Sequence, residues 1–100
     1  MYYGGSAAQT PIALGANFPV ALNTGYELIL SNVYNSSTNV YYRVTNLNTG
    51  NFAEGTLTGT AGTAIPASST FMHPTLWRTN NSAAVAVAFD VISIYVETDR

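Results

Sequence analysis

The stretch Ala83-Ala84-Val85-Ala86-Val87-Ala88-Phe89-Asp90-Val91-Ile92-Ser93-Ile94-Tyr95-Val96 decides how this chain is read. It contains neither Gly nor Pro and is rich in β-branched and aromatic residues, which predicts one strand of unusual length in spite of its alanines. Every second residue places Val85, Val87, Phe89 and Val91 on one face and Ala84, Ala86, Ala88 and Asp90 on the other. One face is bulky and the other nearly flat. Beyond Val91 the apolar phase passes to Ile92, Ile94 and Val96, which calls for a β-bulge that resets the register or for a strand end covered on both sides; the bulge is the reading adopted. Such a strand belongs at the centre of a sheet, and the rest of the chain must supply its neighbours.

Those neighbours are legible upstream. Residues 26–34 read as a strand with Leu28 and Leu30 toward the core and Glu27, Ile29 and Ser31 opposite. Residues 35–39 form a polar loop, and residues 40–45 alternate most cleanly, with Val40, Tyr42 and Val44 one way and Tyr41, Arg43 and Thr45 the other; together the two strands make a hairpin. Turns are predicted at residues 23–25 and 46–50. Residues 51–58 alternate again, but Phe52 and Leu57 fall out of phase unless Glu54-Gly55 bends the strand. Residues 63–67 are expected to be extended, because the residue before Pro66 avoids the helical region. A further extended segment at residues 71–77 leads through residues 79–82 into the long C-terminal strand. Pro11 and Pro19 confine residues 10–14 and 17–22 to short extended or irregular positions.

No apolar run has helical spacing. Six to eight short strands separated by turn clusters predict an all-β fold, an antiparallel β-sandwich of jelly-roll or Ig-like type over residues 10–100. Residues 1–9, small and glycine-containing, read as a flexible N-terminal arm.

Composition bounds the function. A 100-residue chain is one small domain, able to bury roughly 60 to 70% of its unfolded surface. Only 8% of its residues are charged although 47% are hydrophobic, against roughly 25% charged in an average soluble domain. It has no lysine, three arginines and a formal charge of −2, which argues against nucleic-acid binding and against an electrostatic membrane anchor. Ten Asn and thirteen Thr, with Ser, Gly and Tyr, must cover the surface instead. That surface suits burial by a partner, and equally suits the turns of a β-protein. The chain has no cysteine, hence no disulfide framework, thiolate metal site or thiol nucleophile. The N-terminal Met-Tyr-Tyr-Gly-Gly-Ser-Ala-Ala lacks the basic and apolar regions of a signal peptide, and the longest apolar run is too short to span a bilayer as a helix.

No motif encodes catalysis, and no cofactor is expected. His73 is the only histidine, with no acid at ligand spacing beside it. Ser68, Ser69, His73 and Asp90 lack the context of a hydrolytic triad, and Glu27, Glu54 and Asp90 do not form the paired carboxylates of glycoside chemistry. Residues suited to partner binding are easier to name. Phe71, His73, Trp77 and Arg78 cluster in one segment, and Trp and Arg are enriched at interface hot spots; the plain alternative is that Phe71 and Trp77 fill the core. Tyr34, Tyr41 and Arg43 are read as sharing an exposed sheet face that suits a sugar ring or a protein surface, or as ordinary cross-strand pairs. Tyr2 and Tyr3 either anchor the arm on a neighbouring subunit or fray.

The order of features resembles that of small bacteriophage virion proteins. The resemblance runs from an apolar strand ending in Asn (Leu28-Ile29-Leu30-Ser31-Asn32), through the alternating strand at residues 40–45 and the segment Ala64-Ile65-Pro66-Ala67-Ser68-Ser69-Thr70, to the terminal strand at residues 85–96. The chain departs from the pattern at Asn80-Asn81-Ser82, where a Gly-Asp turn is usual. The resemblance implies a β-sandwich made in the host cytoplasm and attached to the outside of the virion, as a capsid decoration or cement protein bound to the major capsid protein and commonly homotrimeric. A carbohydrate-binding or adhesion module, such as a fibre or tail domain, is the alternative. An enzyme is not expected.

Overall fold

Alternation of β-branched and aromatic residues with polar ones builds the sheet. In the computed structural model, which describes residues 1, 3–4, 6–32, 38–67, 84, 88 and 90–97, strands β1 (Tyr26–Asn32), β2 (Asn39–Asn46) and β3 (Phe52–Thr58) pair antiparallel in the order β1-β2-β3. Among the described residues there is no helix, so the protein is all-β.

The register sets the two faces. Leu28 lies opposite Val44 and Leu30 opposite Tyr42. On the far side of β2, Tyr42 faces Gly55 and Val40 faces Leu57. Successive side chains alternate, so Leu28, Leu30, Val40, Tyr42, Val44 and Leu57 share one face; the spacing predicts this for Leu28 with Leu30 and for Val40 with Tyr42 and Val44. Tyr42, Val44, Leu57 and Ile65 form the buried cluster, with Met1, Tyr3, Ile12, Leu14, Phe18 and Val40 packed against it. Burial of side chains the size of Val44 or Leu57 contributes about 1.5–3 kcal/mol each.

Phe52 and Leu57 are both in regular pairing, opposite Thr45 and Val40, with no residue inserted between them. No bend is needed. Leu57 is buried, whereas Phe52 lies on the other face, 54% exposed. Gly55 permits this packing, since a Cβ there would stand 3.1 Å from the Tyr42 ring.

Among the described residues the one buried polar side chain is Asn46, 2% exposed. Its Nδ2 donates to the Asn17 carbonyl (2.9 Å), and its Oδ1 accepts from the Asn48 backbone N–H (3.0 Å). Its own carbonyl accepts from the Gly50 N–H (2.8 Å), closing the β2–β3 turn. Asn48 then clasps the turn before β1: Gly25 N–H donates to its Oδ1 (2.8 Å), and its Nδ2 donates to the Asn23 carbonyl (3.0 Å). Asn23 itself takes a left-handed φ of 59°, which Asn tolerates better than most residues. Both predicted turns are therefore present and are locked to each other by side-chain amides.

Several expectations are revised. Residues 63–67 are not an extended segment. The Ala64 N–H donates to the Thr60 carbonyl (2.9 Å) and the Gly62 N–H to the Ile65 carbonyl (2.6 Å), making a tight turn that tucks Ala64 and Ile65 inside. Pro66 restricts only the residue before it, and Gly62, at φ 79°, supplies the left-handed conformation that reverses the chain. The described residues of the segment 1–12, whose first nine read as an arm, touch the body: Met1, Tyr3 and Ile12 pack against the buried cluster, and the Ser6 hydroxyl donates to the Gly62 carbonyl (3.2 Å). The Gln9 N–H donates to the Tyr3 carbonyl (3.1 Å), the Ile12 N–H to the Met1 carbonyl (2.8 Å) and the Ala7 N–H to the Thr63 carbonyl (3.3 Å).

The largest departure concerns the C-terminal stretch. Residues 90–97 take no strand, and every one of them is exposed. Val91, Ser93 and Tyr95 alternate with Ile92, Ile94 and Val96, so a strand here has apolar side chains on both faces and needs cover on both, besides an edge to pair with. Among the described residues nothing covers both faces of such a strand, and although β1 has a free edge, residues 90–97 do not pair with it. Ala84 and Ala88 are also exposed; the rest of residues 83–89, and the segment at 71–77, lie outside the described residues.

Candidate functional site

The face of the sheet turned away from the core carries Glu27, Ile29 and Ser31 on β1, Tyr41, Arg43 and Thr45 on β2, and Phe52, Glu54 and Thr56 on β3. Two diagonal pairs organise it. Tyr41 is paired in register with Thr56, and Arg43 with Glu54, yet each long side chain reaches across to the residue two positions earlier on β3, a separation that aromatic and long side chains bridge. The Tyr41 hydroxyl donates to Glu54 Oε2 at 2.5 Å, and the Arg43 guanidinium carbon lies 4.2 Å from the centroid of the Phe52 ring. At an exposed site such a cation–π contact contributes about 0.5–1 kcal/mol.

The electrostatics follow from this geometry. The hydrogen bond to Glu54 is the main cause that raises the Tyr41 phenol above its ordinary value of 10.0; desolvation and the carboxylate charge add to it, and the Arg43 charge opposes it. The phenol thus holds its proton and acts as a hydrogen-bond donor at neutral pH. Ring faces, a guanidinium and a phenol side by side make a strip suited to stacking and hydrogen bonding on a flat partner.

A second feature lies on the core side. Beside the exposed part of β1 is an apolar hollow of about 280 Å³, lined by Leu14, Phe18, Val20, Tyr26 and Leu28 among others. Phe18 and Tyr26 stack across it with ring centroids 6.2 Å apart, and the Tyr26 hydroxyl donates to the Pro19 carbonyl. Its rim is unusually bare: Val20 is fully exposed and Leu28 is 56% exposed.

Of the residues expected to meet a partner, Tyr41 and Arg43 come together on the outer face. Tyr3 packs instead against the buried cluster. Tyr2, Tyr34, Phe71, His73, Trp77 and Arg78 lie outside the described residues. Glu54 and Phe52, which the sequence pattern does not single out, also belong to the outer strip; their shared parity on β3 is the signal for it. Among the described residues no group of three or more His, Asp or Glu side chains is placed to hold a metal ion, and no helix is long and apolar enough to cross a membrane. Comparison of the chain with protein-family models, with curated proteins and with solved structures finds no match in any of the three.

Proposed function

We propose that this chain is a non-enzymatic structural protein of a virion, a capsid decoration protein that binds the major capsid protein on the outside of a phage head, and that its three-stranded sheet is one layer of a β-sandwich. The observation that carries the reading is the apolar surface left open on β1. All seven of its residues are exposed, including Leu28, Ile29 and Leu30, in a chain with 8% charged residues. Open apolar surface of that kind marks an interaction site. Sparse charge lets it be buried without stranding unpaired ions, and many weak contacts repeated over a lattice add through avidity. The resemblance of the strand order to small virion proteins points the same way.

The test is co-sedimentation of the purified protein with phage heads assembled without it. Saturable binding at a fixed number of copies per head is expected, and absence of binding to such heads rejects the assignment. A second reading, a carbohydrate-binding or adhesion module, draws on the exposed Phe52 ring beside Arg43 and Tyr41. A glycan screen in which binding is lost on Phe52→Ala would favour it.

A further inference from the structure

We propose that residues 90–97 of one copy add as a fourth strand to the free edge of β1 in another copy, so that the chain assembles by strand exchange. This deepens the assembly reading by naming the partner of β1.

The acceptor is well defined. Among the described residues β1 is hydrogen-bonded to β2 alone, so its other edge offers unpaired backbone groups. Natural edge strands are blunted by Lys, Pro or bulges. β1, Tyr-Glu-Leu-Ile-Leu-Ser-Asn, has no Lys or Pro and pairs with β2 one to one without a bulge.

The donor matches it. Residues 90–97 are eight long, rich in β-branched residues and in no strand, with Ile92 and Tyr95 exposed by 86% and 83%. An antiparallel register with Leu30 opposite Ile92, Leu28 opposite Ile94 and Tyr26 opposite Val96 continues the core face, and it lays Val96 over the rim of the apolar hollow. In that register Asp90 falls opposite the amide of Asn32, Glu27 opposite Tyr95, and Glu97 beyond the end of β1. No two carboxylates face each other. The parallel alternative that keeps the same residues on the core face puts Asp90 beside Tyr26, at the hollow, where a carboxylate costs most.

A second copy is the partner because each chain presents both the donor segment and the free edge of β1, and among the described residues neither has the other as its strand partner. Mutual exchange satisfies them all in a closed ring. The large apolar side chains of β1 and of residues 90–97 are 40 to 86% exposed. Each joint sets Leu30 and Leu28 beside Ile92 and Ile94 on the core face, and two reciprocal joints double the apolar side-chain contact that one makes.

The chain has no cysteine, which makes a cross-linking test clean. Ser31 and Val91 are opposite each other on the outer face in the antiparallel register. Full-length Ser31→Cys and Val91→Cys chains, one carrying a tag, are unfolded together, refolded and treated with a short bis-maleimide. A mixed covalent dimer is expected, near twice 10.6 kDa. Ser31→Cys with Tyr95→Cys should give none, because Tyr95 lies about 13 Å farther along the strand at ~3.3 Å per residue. Both sites are on the surface, and circular dichroism matching the unmodified chain certifies each variant. Absence of the mixed dimer overturns the proposal, as does a Ser31→Cys/Val91→Cys double variant that cross-links only within one chain. No capsid is in the tube, so failure here is distinct from failure to bind heads.

Discussion

Replacing Asn46 by alanine should cost more than any surface change in the chain. Asn46 sits where β2 turns toward β3, 2% exposed, and its side chain makes two hydrogen bonds that alanine cannot: Nδ2 to the Asn17 carbonyl and Oδ1 from the Asn48 N–H. The backbone bond from the Gly50 N–H to the Asn46 carbonyl is retained, so the loss belongs to the amide. Each bond is worth about 1 kcal/mol net, and more where the abandoned partner stays dry. Asn17 and Asn48 are exposed, which keeps the cost near the lower figure because water replaces the amide. The knock-on is larger than the pair. Asn48 positions the turn before β1 through Gly25 and Asn23, and a loosened β2–β3 turn weakens that clasp by about 1 kcal/mol more. The expected loss is therefore about 2–3 kcal/mol, or roughly 8–24 °C in Tm for a domain of this size. Urea unfolding at fixed protein concentration, monitored by circular dichroism, measures it. Asn48→Ala alone should cost less, and the double substitution should fall short of the sum by at least about 0.5 kcal/mol, since the two side chains act as one clasp. A loss below about 0.5 kcal/mol for Asn46→Ala, or strict additivity, would refute the idea that this amide holds the two turns together.

Other consequences concern single positions. Gly55→Val should destabilise by about 1–3 kcal/mol through overpacking against the Tyr42 ring, with a changed near-ultraviolet dichroism; an unchanged stability and spectrum would mean that the ring has room to move. Gly62→Ala meets open space but a φ of 79°, so urea unfolding should register about 1–2 kcal/mol from backbone strain alone. Tyr41 is held protonated by Glu54, so its contribution to stability is complete below pH 10 and is lost as pH rises through its higher folded-state pKa. The difference in absorbance at the phenolate band between the unmodified chain and Tyr41→Phe should titrate above 10.0, and Glu54→Gln should bring it down; a midpoint at or below that value contradicts the hydrogen bond.

The hairpin of β1 and β2 was open to reading because Val40, Tyr42 and Val44 alternate with Tyr41, Arg43 and Thr45, a pattern with only one sensible period. The Asn-Thr-Gly turns at residues 23–25 and 48–50 were equally plain. Three things were not. Phe52 and Leu57 are out of phase only if both belong to one core face, whereas an aromatic ring under a guanidinium is stable on the outer face. The partners of Tyr41 and Arg43 depend on register, and parity supplies a face without a neighbour. Asn46 has the composition of an exposed turn residue; only the return of residues 17–25 across the β2–β3 turn buries it. Residues 90–97 expose the deeper reason. Their β-branched pattern states a willingness to pair, but a strand is a property of two segments, and residues 90–97 meet no second segment within the described part of their own chain.

The mass of the full-length protein in solution, taken by light scattering across micromolar concentrations, bears most directly on the claim that copies of this chain complete one another. A closed oligomer, at an integer multiple of 10.6 kDa, is the expected result, with a trimer matching the virion reading. A mass that stays at 10.6 kDa throughout that range would contradict it.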